Sequence, residues 1–170
     1  ISGDADLTRQ MQTEEIIEDF VSQFQGKNYA VLTGGTEGGV PQLGVETAKR
    51  LGIPTIGVFP KQGRKYALSD SLDVAIETSP PDIGDGIFGT ETPTFVNMLD
   101  GATIIGVSYG TLTEAATILK TNAKRARDRS RNVDGAMLPL YFAPIAGTGG
   151  AADLAYAIAR DTGVDIGSSM

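Results

Sequence analysis

With 170 residues the chain is long enough for one domain and short for two, and it contains neither Cys nor His. Disulfides, thiolate zinc sites, Cys nucleophiles and His bases are thereby excluded, so acid–base chemistry falls to Asp, Glu, Lys or Tyr, and any metal must accept oxygen ligands. The net charge of −7 argues against a generic binder of nucleic acid or of anionic membranes.

Short apolar runs alternate with amphipathic stretches along the chain. Ile1-Ser2-Gly3 reads as the end of a strand whose beginning lies upstream. From Leu7 to Phe24 the apolar positions keep three- and four-residue spacing, which predicts a helix. Tyr29–Leu32 is a short strand ending in Thr33-Gly34-Gly35, and Val40–Leu51 a helix stopped by Gly52 and Pro54. Thr55–Phe59 is a β-branched strand closed by Pro60; after a polar loop comes a strand at Asp73–Glu77 and a turn-rich stretch from Pro80 to Gly89. Pro93 suits the first turn of a helix reaching about Leu99. Strands at Ala102–Val107 and Met137–Phe142 are each followed by a helix, Thr111–Lys120 and Ala151–Arg160. The alternation predicts an α/β fold: one domain over residues 1–170, with a mostly parallel sheet of six or seven strands and helices on both faces. The strand ends at Thr33, Phe59, Val107 and Phe142 are expected along one edge of that sheet.

Ligands of open parallel sheets sit beyond the carboxyl ends of the strands. Three turns there are rich in small residues: Thr33 to Gly39, Ser108-Tyr109-Gly110-Thr111, and Gly147-Thr148-Gly149-Gly150. Glycine lets a ligand approach the backbone, and the free N–H groups of a helix start favour an anion. One such turn is explained by a tight connection alone; three at one edge point to binding, with Gly34, Gly35, Thr36, Ser108, Gly110 and Thr111 as the contact residues. The first turn, Gly3-Asp4-Ala5-Asp6, lacks the dinucleotide fingerprint, and no P-loop occurs.

Thr111-Leu112-Thr113-Glu114 fits a capping box, in which Thr caps the helix and Glu reaches back. The competing reading places the Glu114 carboxylate in the ligand pocket as the catalytic group. Lys61 to Lys65 follows a strand end and supplies either cations for a phosphate or a solvated loop. Residues 120–131 hold six basic side chains against one Asp, a net +5 that leaves −12 elsewhere. That run reads as an exposed extension of the helix or as a loop. Asp82 and Asp85 are too ordinary a pair to assign a metal, and Tyr66 and Tyr109 could stack on a base or be partly buried. No stretch reaches the roughly 18 apolar residues of a membrane span. A cytoplasmic protein with no membrane or nucleic-acid partner is expected.

Gly34-Gly35 after one strand and Gly110-Thr111-Leu112-Thr113-Glu114 after another resemble the SLOG superfamily. That superfamily includes the Lonely Guy (lysine decarboxylase-like) proteins and the molybdenum-cofactor carrier proteins. Members carry Gly-Gly-x-Gly-Thr-x-x-Glu at a helix start; here Gly110 to Glu114 match, while Val107 and Ser108 stand in place of the glycine pair. The resemblance implies a modified Rossmann fold, a nucleotide or nucleotide-derived ligand, and a homodimer or higher homo-oligomer. Some relatives hydrolyse the N-glycosidic bond of nucleoside monophosphates with the motif Glu and an Arg from the preceding helix. No Lys or Arg lies between Lys65 and Lys120, so that arginine is missing. A binding or carrier protein is therefore expected ahead of a phosphoribohydrolase, and both ahead of a structural module without ligand. The cofactor itself is not named by the sequence.

Overall fold

The computed structural model of the chain describes residues 7–79 and 88–166. The expected first strand at Ile1 to Gly3, the turn that follows it, and Asp82 and Asp85 lie outside those residues. The chain divides into two compact units, Ile1–Phe95 and Val96–Met170. The boundary falls within the short helix α3, Thr92–Asn97.

The first unit contains α1 (Leu7–Ser22), β1 (Val31–Thr33), α2 (Gly39–Arg50), β2 (Thr55–Pro60), a 3-10 turn (Lys61–Tyr66) and β3 (Val74–Thr78). Its three strands are parallel in the order β1-β2-β3, with Val31 opposite Thr55 and Ile56 opposite Val74. Strand β2 runs buried through the middle; Val58 is fully enclosed and Phe59 nearly so. Helices α1 and α2 pack together, bringing Ile17, Val21, Val45 and Ala48 into the core. Phe20, Phe24 and Tyr29 form an edge-to-face chain with ring centroids 5.2 and 5.3 Å apart, which fixes the exit from α1.

A carboxylate fastens β3 to β2. Asp73 Oδ2 accepts from the Thr55 N–H at 2.8 Å and from the Thr55 hydroxyl at 3.0 Å, and Lys49 reaches Oδ1 at 3.0 Å. The Thr55 N–H, then Lys49 and the Thr55 hydroxyl, hold the Asp73 carboxyl at about 2, against an ordinary 3.8. A folded-state value below the unfolded one stabilises the protein above the unfolded pKa, and that contribution is lost as pH falls through the folded one. Wild-type melting temperature should therefore drop between about pH 4 and pH 2, and Asp73→Asn should flatten that part of the profile while melting lower at neutral pH.

The second unit contains β4 (Gly101–Ile104), α4 (Tyr109–Ser130), β5 (Tyr141–Pro144) and α5 (Gly150–Thr162). Its two strands are parallel, Gly101 opposite Tyr141 and Ile104 opposite Pro144. Helices α4 and α5 pack through Ala115, Ile118 and Leu119 on one side and Ala151, Ala152, Ala155 and Ala159 on the other, all buried. Small residues on α5 allow this close approach. The buried face of α4 carries one polar residue, Asn122, whose side chain donates to the Leu140 carbonyl at 2.9 Å and accepts from the Leu140 N–H at 2.7 Å.

The described residues thus hold five strands, in sheets of three and two, where six or seven in one sheet were expected. Two strands are shorter than the apolar runs that carry them. Strand β4 stops at Ile104 rather than Val107, because Gly106 turns the chain with φ 99°. Strand β5 begins at Tyr141 rather than Met137, because Asn122 rather than a neighbouring strand takes the backbone groups of Leu140. The α/β class with parallel strands holds. Among the described residues no helix is long and apolar enough to cross a membrane.

Candidate functional site

The first glycine turn leaves β1 at Thr33 and enters α2 at Gly39. Thr33 Oγ1 accepts from the Gly35 N–H at 3.0 Å, closing the turn. Gly35 has φ 63°, and a Cβ there would lie 2.7 Å from Gly57 Cα on β2. Packing of backbone against backbone therefore demands this glycine. Gly34 is different: its φ is ordinary, and a Cβ would meet no heavy atom within 4 Å. The residues that close the 3-10 turn lie alongside. Glu37 N–H donates to the Tyr66 carbonyl at 2.8 Å, Leu68 N–H donates to the Gly35 carbonyl at 2.9 Å, and Thr36 bridges Ala67. The Lys61 to Lys65 segment is thus a short helical turn rather than a loose loop. Its cations have local partners: Arg64 stands 3.7 Å from Glu77, and Lys65 lies 4.8 Å from the Tyr66 ring centroid.

In the second unit, α4 begins at Tyr109, two residues earlier than expected. Ser108 is its cap: Ser108 Oγ accepts from the Thr111 N–H at 3.1 Å and lies 2.8 Å from Thr111 Oγ1. The capping-box reading of Thr111 and Glu114 is therefore corrected. Thr111 is the third helical residue and Glu114 the sixth, whereas the box needs its Glu at the third. Glu114 sits half-buried on the second turn of the helix.

Because β4 and β5 are parallel neighbours, α4 and α5 start at the same edge of their sheet. The two turns touch. Gly106 N–H donates to Thr148 Oγ1 at 3.2 Å, and Ala152 N–H donates to the Gly106 carbonyl at 3.2 Å. A Cβ on Gly149 would overlap Val107 Cγ1 and lie 3.0 Å from the Gly106 carbonyl carbon. Sequence reasoning passed over Gly106 and Thr148 in this role; a glycine two residues before the cap was the available signal. Helix α5 has no side-chain cap at Gly149, and Asp153 Oδ1 instead accepts from Gly147 N–H at 2.6 Å.

Among the described residues, the N–H groups of Tyr109, Gly110, Gly150 and Ala151 have no acceptor. Neither Gly110 nor Gly150 is required by packing: the nearest atom to a Cβ on Gly110 is Ser108 Oγ at 3.8 Å, and around Gly150 there is none within 4 Å. Val107 and Tyr109 stand exposed at the rim, Tyr109 at 90%. Two helix starts with open N–H groups form a region of positive potential without any cation. Among the described residues no cluster of three or more acidic side chains is placed to hold a metal ion.

The model of the family described as SLOG cluster4 matches residues 1–125, which include the first glycine turn and Gly110 to Glu114. The chain belongs to the SLOG cluster4 family. Three solved structures share its fold. An X-ray structure of TM1055, a structural-genomics target, is 22% identical with a TM-score of 0.61, covering 88% of this chain and 71% of that one. The molybdenum cofactor binding protein of the phototrophic bacterium Rippkaea orientalis is 19% identical with a TM-score of 0.55, covering 94% and 90%. The molybdenum cofactor carrier protein of Chlamydomonas reinhardtii is 20% identical with a TM-score of 0.50, covering 90% and 89%. No curated protein matches the chain.

Proposed function

We propose that this SLOG cluster4 protein binds or carries a small anionic ligand of nucleotide or nucleotide-derived type. The observation that carries the reading is the pair of helix starts beside β4 and β5, with their N–H groups open and glycines that packing does not require. Tyr109, Gly110, Gly150 and Ala151 donate to the anion, and Ser108 and Thr111 order the first of these turns. The same chemistry is assigned to Gly34, Gly35 and Thr36 in the other unit, where Gly35 holds the turn and Gly34 leaves it open. The fold shared with two molybdenum cofactor proteins supports a carrier role and adds that cofactor to the candidates. We propose further that residues 1–170 act as one domain, since the family match crosses from the first unit into the second, and that the protein is a cytoplasmic homodimer or higher homo-oligomer.

One observation favours a second reading, a nucleoside 5′-monophosphate phosphoribohydrolase. With Ser108 as the cap, Glu114 is released from that duty and could stabilise positive charge on ribose or activate water. Against it stands the absence of Lys or Arg between Lys65 and Lys120, since a fixed cation at developing charge contributes several kcal/mol. Thermal-shift screening of nucleotides, pterins, phosphate compounds and the molybdenum cofactor decides between ligand and no ligand. A compound at a hundred times its Kd should raise the melting temperature by about 5–10 °C. Incubation with nucleoside monophosphates should release no free base. Release that disappears in Glu114→Gln, with binding retained, would make the protein an enzyme; no shift with any compound would leave a structural module.

A further inference from the structure

On α4 the basic run becomes a stripe. Lys120, Lys124, Arg127 and the C-capping Arg131 are spaced by four, three and four residues, so they fall within roughly 60° of one helix face and span about 16 Å. Lys124 bonds Asp128 at 2.6 Å, but among the described residues no carboxylate pairs with Lys120, Arg127 or Arg131. Like charges at this spacing work against the helix that carries them. The segment after the helix returns along it. Arg125 Nη1 donates to the Leu138 carbonyl at 3.0 Å, two residues before the Leu140 that Asn122 brackets. Arg125 and Asn122 lie about 100° or more around α4 from the stripe, so Met137, 60% exposed, and Leu138, 67% exposed, stand on that other side of the helix and the stripe itself is purely charged. A helix face with four cations, three of them without a carboxylate among the described residues, calls for an acidic partner surface.

Its complement lies on the same sequence. Helix α1 carries Glu14, Glu15, Glu18 and Asp19 within six residues, and these line a groove with Glu46 on α2. Among the described residues lining that groove the cation is Arg50, which is bound to both oxygens of Glu18 and lowers its pKa. Met11 is exposed one turn before the acidic residues. A nucleic acid or anionic membrane reaching the stripe would have to approach a body that carries −12 elsewhere, whereas a second copy brings an acidic helix face to it.

We propose that the basic stripe of α4 in one copy docks against the acidic face of α1 in a second copy of this chain. The proposal rests on the homo-oligomeric reading above, and the experiment separates the two. The full chain is sedimented at about 0.05 M and 0.5 M salt, the latter shortening the screening length to about 4 Å. Two charge reversals are compared, Lys120→Glu with Arg127→Glu, and Glu15→Lys with Asp19→Lys. All four side chains are exposed, and unchanged circular-dichroism melts confirm that both variants fold. Wild type should be heavier than a monomer at low salt and dissociate at high salt. Each variant alone should associate at least about a hundredfold more weakly. An equimolar mixture of the two should associate again, because each reversed surface then meets an opposite charge. Association that survives both salt and reversal overturns this surface and keeps the homo-oligomer. A monomer in every condition overturns both. Monomers whose stripe retains anionic vesicles or a polyanion overturn the second copy as its occupant.

Discussion

Asn122→Ala should cost about 2–5 kcal/mol and lower the melting temperature by about 5–15 °C, among the largest effects of any single substitution in this chain. Asn122 is 3% exposed and Leu140 is 4% exposed. One side chain meets both backbone groups of Leu140, donating to the carbonyl and accepting from the N–H. Alanine leaves two buried polar groups without partners, each costing the full desolvation penalty rather than the modest net value of a hydrogen bond. Asn122→Leu separates volume from polarity: it fills the space and should remain nearly as destabilised as alanine. Asn122→Asp adds a pH signature. Its carboxylate still accepts from the Leu140 N–H but faces the Leu140 carbonyl, so burial and repulsion raise its folded pKa above the unfolded value. The deficit relative to wild type should then shrink as pH falls, because a protonated Asp can donate to that carbonyl. Urea melts of the four proteins at neutral and acid pH would read these differences, and equal melts for Asn122→Leu and wild type would refute the account.

Asn122 also shows where the sequence stopped being legible. The stripe Ala115, Ile118, Leu119, Asn122 has helical spacing, so the helix itself was visible. An Asn within a basic run looked like part of a solvated face, since nothing local says that a backbone segment 18 residues later needs its amide. For the same reason the apolar run at Met137 to Leu140 resembled a strand although it pairs with a side chain. The helix of the basic run was legible as far as Lys120; its continuation to Ser130 depends on the returning segment tied to Arg125 and Asn122. Elements with strong periodicity or glycine punctuation, α2, β2 and α5 among them, fell within a residue or two of their expected bounds. The turns were legible as turns, but not which glycines serve the fold. Gly35 and Gly149 are held by close backbone contacts made across the sheet, Gly34 and Gly110 by none.

Gly110→Val should abolish the thermal shift produced by whichever anionic compound stabilises wild type, raising its Kd at least about a hundredfold, and leave the melting temperature of the free protein within about 2 °C. The fold has room for the new side chain. Gly110 is exposed at the second position of α4, its φ is not in the left-handed region, and the nearest atom to a Cβ is 3.8 Å away. Valine in a helix is no worse than glycine, so the helix start survives. What the branched side chain removes is access: it stands beside the N–H groups of Tyr109 and Gly110, where an anion must approach within hydrogen-bond distance. Gly34→Ala tests the other turn with the same logic, since its Cβ also meets open space. Gly35→Ala is the contrasting control. Its φ of 63° and the approach of Gly57 should cost about 1–3 kcal/mol, so loss of binding there would report a damaged turn rather than a lost contact. The informative pattern is a stable Gly110→Val that no longer responds to ligand. A Gly110→Val protein that responds as wild type does would place the anion away from the start of α4 and reduce Gly110 to a feature of the turn.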